Sequence, residues 1–173
     1  YGRLLWRLRE AKLTHGVRAI LWHQGENDQG ESGATGNFGS VNYQDCFIRM
    51  AAAWKQDYPN IKHYYVHQIW PGACGSRSIE GDRLRERQRQ LPRQFSNMSI
   101  LSTLGIRPGG GCHYPPEGYA VMARQLFPLV SQHNYGLEPG VSITPPNIQS
   151  ISYTSDRRDE LTPLATSGSE PLP

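Results

Sequence analysis

Residues 17–30 read VRAILWHQGENDQG, and this stretch determines the predicted fold. Its first part, residues 17–22, is an apolar run interrupted only by Arg18, which predicts a β-strand covered on both faces of a parallel sheet. Its second part, residues 23–30, brings together imidazole, amide, carboxylate and glycine groups. Open α/β sheets bind their ligands just beyond the carboxyl ends of the strands. The stretch therefore predicts a polar site at that edge of the sheet.

Helical and strand-like patterns alternate along the rest of the chain. Helices are predicted over residues 1–12, 42–57, 80–94 and 117–132, and further strands over residues 62–70 and 98–104. Strands separated by helices favour right-handed crossovers and an α/β fold with a parallel, doubly covered sheet. Because three strands are few for such a sheet, we expect further strands before Tyr1.

Several details of the helices follow from single residues. Asn42 is expected to cap the second helix, and Leu84 and Leu91 are expected to anchor the third helix to the core. Pro128 is expected to kink or shorten the last helix, because proline lacks a backbone donor. The predicted inner face of that last helix consists of Tyr119, Ala123, Leu126, Phe127 and Val130.

The sequence changes character from Gly136 onward. Prolines and a hydrophilic end replace the periodic patterns, although residues 147–154 alternate enough to form one strand of another unit. We therefore predict one domain over residues 1–136. Residues 137–173 are predicted to be a proline-rich linker and the start of an incomplete following domain, partly disordered.

The composition is that of an ordinary globular protein. The 173 residues are 37% hydrophobic and 19% charged, with a net charge of +3, and no apolar run is long enough to cross a bilayer. Neither nucleic acid nor a membrane is therefore an expected partner. Four arginines without interleaved aromatic residues are expected on a solvated helix face: Arg83, Arg85, Arg87 and Arg89.

The three cysteines show no zinc-ligand spacing. Cys46 is expected to be a small buried apolar residue. Cys74 and Cys112 both lie in glycine-rich loops after strands and can pair if those loops meet, or remain free thiols. No metal or other cofactor is expected, because the candidate ligands lack HxH and HExxH spacing. Those candidates are His23, Glu26, Asp28 and His113.

Two of the loops that follow strands concentrate reactive groups, at residues 24–28 and 112–114. The Gly25 N–H and the Asn27 amide can donate two hydrogen bonds to one oxygen, as a tetrahedral acyl-transfer intermediate requires. His113, between glycines and prolines, is a candidate general base because its ordinary pKa lies near neutrality. A simple turn at Gly25 and Asn27 and an ordinary loop histidine at position 113 remain alternatives.

Residues 22–28, WHQGEND, resemble the third sequence block of the SGNH hydrolases. The similarity is greatest to the sialate O-acetylesterase and carbohydrate-esterase (acetylxylan-esterase-like) branch. His113, Tyr114 and the helix opening at residues 117–119 resemble the last block of that branch, and residues 84–88 resemble its intervening helix. The resemblance covers about residues 1–136 and implies a flavodoxin-like three-layer α/β/α sandwich, truncated at its N-terminus here.

The resemblance also implies a function. It implies a carbohydrate O-acetylesterase that hydrolyses acetyl esters on sugars by a Ser-His mechanism, with an acetylated carbohydrate as its partner and a secreted or periplasmic location. Gly25 and Asn27 match two of the oxyanion-hole donors, and His113 matches the general base. Substrate contacts are expected from three neighbouring residues: His23, Gln24 and Tyr114.

The chain departs from the family pattern at two positions. No serine lies in a matching turn, so the nucleophile is expected upstream of Tyr1, and the 173-residue fragment alone is expected to be inactive. Ser32 and Ser40 lie in the glycine-rich loop, but nothing in the sequence activates them. Gly110 stands where the family has the triad aspartate. The remaining candidates for the acid or a supporting carboxylate are Glu26, Asp28, Glu86 and Glu117.

Two other functions remain open. A non-catalytic carbohydrate-binding or pseudo-enzyme domain could use aromatic residues to stack on sugars. A related SGNH lipase or thioesterase would need an apolar acyl groove. The aromatic residues considered for stacking are Trp22, Trp70, Tyr114 and Tyr119.

Overall fold

A computed structural model of the chain describes residues 1–30, 39–75, 78–106, 111–143 and 147–166. The chain divides into two compact units, Tyr1–Phe127 and Pro128–Pro173. The domain boundary at residue 136 and the disorder beyond it stay predictions.

The first unit is an α/β structure with a parallel sheet. Within the described residues the sheet has three strands in the order β1 (Ala19–His23), β2 (His63–His67) and β3 (Met98–Leu101). Ala19 pairs with His63, and Tyr64 pairs with Met98. Because the strands are parallel, the segments that follow them leave the sheet at one edge, which we call the carboxyl edge. The helices are α1 (Gly2–Glu10), α2 (Tyr43–Asp57), α3 (Ser78–Gln90) and α4 (Pro116–Tyr135). The prediction of a parallel α/β unit is confirmed.

The core lies mainly between the sheet and helices α2 and α3. Alternate side chains of a strand point to opposite faces, and those of Tyr64 and Val66 in β2 face this core. Leu84 and Leu91 are fully buried, which confirms their predicted anchoring role. Further members of the cluster come mainly from α2 and include Tyr43, Phe47, Ala51 and Trp54. The other face of β2 carries His67, which interacts with the backbone of Met122 in α4.

Two sequence predictions for the first half of the unit are wrong. β1 is not covered on both faces, because Leu21 is 58% exposed while its neighbours Ile20 and Trp22 pack against the core. Asn42 occupies the N-cap position of α2, but its side chain makes no capping hydrogen bond.

The buried face of α4 also differs from the prediction. Tyr119 and Phe127 are 44% and 71% exposed, whereas Met122 and Leu126 are buried. Ala123 is exposed as well, so of the predicted stripe Leu126 is confirmed, and it shares the inner face with Gly118 and Met122. Pro128 does not shorten the helix, which continues to Tyr135.

The second unit contains the end of α4 and a pair of antiparallel strands. β4 (Asn147–Tyr153) pairs with β5 (Leu161–Thr166), with an irregularity between Ile148 and Ser150. The strand predicted over residues 147–154 is confirmed. No helix within the described ranges is long and apolar enough to cross a membrane.

Candidate functional site

Loops that follow all three parallel strands are joined at the carboxyl edge of the sheet. After β1 the chain forms a 3₁₀ turn at Glu26–Asp28, and the next residue, Gln29, donates from Nε2 to the Ala73 carbonyl oxygen at 2.8 Å. Ala73 belongs to the loop after β2. The next residue of that loop, Cys74, forms a disulfide with Cys112, in the segment after β3. The two loops singled out by sequence are therefore connected through a third.

Gly25 follows β1 at a point where no side chain fits. Its φ of +140° is rarely adopted by residues with a Cβ atom. A Cβ placed there would lie 2.9 Å from Leu84 Cδ2 and 3.1 Å from Ile69 Cγ2. The backbone at this position can thus pass directly over α3 and the end of the β2 segment.

Gln88 of α3 holds the segment that contains Gly25. Its side chain is fully buried, and its Nε2 donates to the Gln24 carbonyl oxygen at 3.1 Å and to the Tyr43 hydroxyl at 3.2 Å. Its Oε1 accepts from the Ile69 N–H at 3.0 Å. The Tyr43 hydroxyl in turn donates to the Gln24 carbonyl at 3.1 Å. Burial raises the pKa of Tyr43 to about 12, against hydrogen bonds from Gln88 and Trp22 that lower it, so the hydroxyl stays protonated.

Arg85 braces the segment after β2. It is buried, and its Nη1 donates to the Ile69 carbonyl oxygen at 2.8 Å. Gln68 Nε2 completes the contact by donating to the Arg85 carbonyl at 2.9 Å. The prediction that this arginine lies on a solvated face is wrong, because its guanidinium replaces water as the partner of a strand-end carbonyl. Burial lowers the pKa of Arg85.

The carboxylates after β1 have partners close to them. Glu26 Oε1 lies 3.2 Å from His23 Nε2, and both side chains are mostly buried. Burial by itself raises the pKa of Glu26. The hydrogen bonds from His23 and from the backbone N–H groups of Glu26 and Gly25 outweigh that effect, so the pKa of Glu26 is lower than usual. Asp28 Oδ2 accepts from Gln24 Nε2 at 2.6 Å. Each carboxylate is thus paired within its own turn.

A buried polar cluster lies beneath the carboxyl edge. The ring centroid of His23 is 6.2 Å from that of His67 and 5.8 Å from that of Tyr114. Burial lowers the pKa of His67 to about 4, and the charge of His23 acts in the same direction. Burial raises the pKa of Tyr114, while the hydroxyl of Thr103 opposes this shift. His67 and Tyr114 are therefore neutral near pH 7, and Tyr114 is held below the surface.

The proposed reactive groups themselves face solvent. His113 and Asn27 are exposed, and neither side chain has a hydrogen-bond or ion-pair partner among the described residues. His113 lies between two fixed neighbours, the disulfide-bonded Cys112 and the buried Tyr114. Their exposure leaves both groups available to a ligand at this edge.

No described carboxylate pairs with His113. Glu26 and Asp28 are engaged by His23 and Gln24, and Glu86 accepts from Arg89 Nε at 2.6 Å on the surface of α3. Glu117 is exposed in the first turn of α4. Gly110, which stands where the SGNH hydrolases resembled in sequence have an aspartate, lies outside the described residues. The identity of the acid stays open among these candidates.

The remaining predicted groups have different positions. Ser40 is buried, with its backbone N–H bonded to the Gly30 carbonyl at 2.9 Å, and Ser32 lies outside the described residues. Trp22 packs edge-on against Phe47 and Trp54 in the core, so it is not available to stack on a sugar. Within the described ranges there is no group of three or more metal-ligating side chains.

Sequence reasoning missed Gln29 and Gln88 as supports of the site. Gln88 carries a detectable signal, because it shares the helical stripe of Leu84 and Leu91, where a polar residue needs a buried partner. Gly81 lies one turn earlier on that stripe, and a Cβ there would approach Gln29 Oε1 to 2.8 Å. Gln29 itself had no such signal, since its partner Ala73 is 44 residues away.

The fold and site define an α/β protein with a loop-built site at the carboxyl edge of a parallel sheet. No family model matches the chain, and a comparison with curated protein sequences found no match. Among solved structures it is similar to XAC1771, a carbohydrate acetylesterase from Xanthomonas citri. The TM-score is 0.59 at 18% sequence identity, over 80% of this chain and 30% of that one. The chain therefore shares a fold with part of that protein and spans about a third of its length.

Proposed function

We propose that this chain forms part of a carbohydrate O-acetylesterase whose active site lies at the carboxyl edge of the sheet. The observation that carries the proposal is the joining of the loops there. Gln29 bonds to Ala73, and the adjacent Cys74 is bridged to Cys112, next to His113. The similarity of fold to a carbohydrate acetylesterase supports the same reaction class. Membership of the SGNH hydrolases, with their three-layer sandwich, is part of the proposal.

The proposed mechanism uses a serine from outside the 173 residues. His113 accepts the serine proton as the oxygen attacks the acetyl carbonyl carbon, and it then donates that proton to the departing sugar oxygen. His113 then removes a proton from water, the hydroxide attacks the acetyl-serine carbonyl carbon, and His113 returns the proton to the serine oxygen as acetate is released. Gly25 N–H and Asn27 Nδ2 donate to the negatively charged oxygen of both tetrahedral intermediates. The Gly25 N–H already helps to lower the pKa of Glu26, which supports a position close to an anionic oxygen.

The remaining roles belong to the same proposal. Gln24 and His23 border the site, and Tyr114 supports it from below the surface, so a direct substrate contact by Tyr114 would require the ring to move. A disulfide supports a secreted or periplasmic location, because such bonds persist in oxidising compartments.

Acetate release by the full-length protein tests this function. The substrates are an aryl acetate and an acetylated oligosaccharide, with the 173-residue chain assayed alongside and expected to be inactive. Asn27→Ala should lower kcat about 100-fold, because one oxyanion donor is removed. Asn60→Ala is the matched control, since Asn60 is also exposed but precedes β2 at the opposite edge. Full activity in Asn27→Ala would refute the oxyanion assignment.

Binding without turnover would instead favour the non-catalytic alternative. If the full-length protein binds acetylated oligosaccharides but releases no acetate, the chain belongs to a carbohydrate-binding or pseudo-enzyme domain.

An esterase for longer acyl groups is a second candidate, favoured by one cavity. It has a volume of about 390 Å³ and lies beside Gln24 and Asp28, and its walls are mainly apolar. Comparison of aryl acetate with aryl octanoate distinguishes the two functions. A carbohydrate acetylesterase should prefer the acetate in kcat/KM, and a lipase or thioesterase the octanoate. The apolar lining comes from Trp22, Tyr43, Cys46, Phe47 and Met50.

A further inference from the structure

The only disulfide of the described residues lies next to the proposed general base. Cys74 belongs to the loop after β2, and Cys112 immediately precedes His113. Their Cα atoms are 4.4 Å apart although 38 positions separate them in sequence. The third cysteine, Cys46, is free. The bond therefore joins two loops of the site and does not simply close a local turn.

A backbone hydrogen bond reinforces the same connection. The N–H of Cys74 donates to the Gly111 carbonyl oxygen at 3.1 Å. Cys74 has a φ of +59°, a conformation that few residues other than glycine adopt, so its backbone is held in a specific shape. The loop is tied on its other side to Gln29 through the Ala73 carbonyl. This gives a continuous path from the turn with Gly25 and Asn27 to the segment with His113.

Apart from the disulfide and the hydrogen bond from Cys74 to Gly111, little holds the segment that carries His113 within the described part of the chain. The His113 side chain is exposed and has no partner there, so its position depends on its two neighbours. Tyr114 is buried against His23, and Cys112 is bonded to Cys74. Removing the covalent bond leaves the Tyr114 side as the main anchor.

We propose that the Cys74–Cys112 disulfide positions His113 and makes the hydrolysis sensitive to thiol reductants. The inference rests on the proposed function and adds redox control to it. Reduction by a dithiol such as dithiothreitol breaks the S–S bond and gives two thiols, while the dithiol supplies two electrons and two protons and becomes a cyclic disulfide. After reduction only the hydrogen bond from the Cys74 N–H to the Gly111 carbonyl joins the two loops, so the segment at His113 can shift relative to Gly25 and Asn27.

The kinetic test compares oxidised and reduced full-length protein. Reduction should lower kcat for an aryl acetate roughly 10- to 100-fold with little change in KM, because small displacements of a catalytic group have effects of that size. Reoxidation should restore the activity. Cys74→Ser and Cys112→Ser should show the same loss and no further response to the reductant. In Cys46→Ser, reduction should lower kcat by the same factor as in the unaltered protein. An unchanged kcat after complete reduction, checked by thiol titration, would overturn the proposal.

Hydrogen exchange separates this proposal from the proposed function. On reduction, the amides of residues 111–114 should exchange faster, while those of β2 should remain protected. Unchanged exchange at residues 111–114 would overturn the positioning role whatever the activity. Loss of protection in β2 would also overturn it, because the bond would then support the whole fold. If reduction speeds exchange at residues 111–114 in a protein whose oxidised form does not hydrolyse acetyl esters, the positioning role is supported and the esterase function alone is refuted.

Discussion

Gly25 shows how a single residue shapes the site. A Cβ atom added there would lie within 3.3 Å of Leu84, Ile69 and Gln88, and the Gly25 φ of +140° is costly for any residue with a Cβ atom. Because glycine has no side chain of its own, its N–H can come close to an anionic oxygen, and it already helps to lower the pKa of Glu26. Close packing and the proposed oxyanion role therefore both require glycine at this position.

Gly25→Ala should lower the free energy of unfolding by on the order of 3 kcal/mol, because it adds a steric clash to an unfavourable φ. Gly105→Ala is the matched control, since Gly105 also has a positive φ, of +84°, but has nothing within 4 Å of its Cβ position. Gly105→Ala should lower the free energy of unfolding by only about 1 kcal/mol. Urea unfolding measures both values, and equal losses would show that the contacts with Leu84 and Ile69 are unimportant.

His67 should make the stability of the fold depend on pH. Burial lowers its pKa to about 4 from 6.5, so between those values the unfolded chain binds a proton that the folded chain does not. The neutral His67 side chain therefore contributes to the free energy of unfolding fully above pH 6.5. This contribution, roughly 3 kcal/mol in total, is lost as the pH falls toward 4. Unfolding measured across this range should give a shallower pH dependence for His67→Asn. An unchanged slope in that variant would show that other groups cause the dependence.

At the scale of elements, α3 acts as a brace between the loops after β1 and β2. Gln88 holds Gln24 and Ile69, and Arg85 holds the Ile69 carbonyl from the same helix. Because these partners are backbone groups at the ends of strands, a shift of α3 would move both loops. The helix therefore links the packing of the core to the geometry of the carboxyl edge.

Gln88→Leu should destabilise the protein by about 2–4 kcal/mol, because it removes the buried partner of the Ile69 N–H. Gln90→Leu on the same helix is the control. Among the described residues its amide bonds only to the partly exposed Glu86, so the change should stay within about 0.5 kcal/mol. A shift of the urea midpoint without a change in slope would report the loss. Similar effects of the two substitutions would contradict the bracing role.

The face of α4 gives a direct test of a corrected prediction. Met122 packs with Ile106 and Tyr114, whereas Phe127 is 71% exposed. Met122→Ala should therefore cost about 2–4 kcal/mol, and Phe127→Ala about 0.5 kcal/mol or less. Thermal or urea unfolding measures both losses of stability. A larger loss in Phe127→Ala would show that the inner face of α4 is the one predicted from the sequence.

The sequence predicted the helices and strands more accurately than it predicted which side chains are buried or paired. The apolar runs and helical stripes gave the parallel sheet and the anchors Leu84 and Leu91, because these patterns depend on local spacing. The inner face of α4 was misplaced because its aromatic residues favoured the wrong stripe by one position. Arg85 and Gln88 were hard to foresee because burial of a polar side chain depends on a partner distant in sequence. The pairing of Cys74 with Cys112 could be stated only as a possibility for the same reason.

At the scale of the whole molecule, the first unit has the arrangement expected of a ligand-binding α/β fold. Its sheet places the segments after β1, β2 and β3 at one edge, and a hydrogen bond and a disulfide join them there. The fold is similar to part of a carbohydrate acetylesterase. The proposed esterase function thus depends on how groups from separate loops act together at this edge.

The most direct test is the effect of His113→Ala on kcat/KM for acetyl-ester hydrolysis by the full-length protein. His15→Ala is the control, because His15 is also exposed but lies before β1 at the opposite edge. The account predicts that His113→Ala loses about 1,000-fold, within the range expected for a general base, and that His15→Ala keeps its activity. Robust hydrolysis that survives His113→Ala would contradict it.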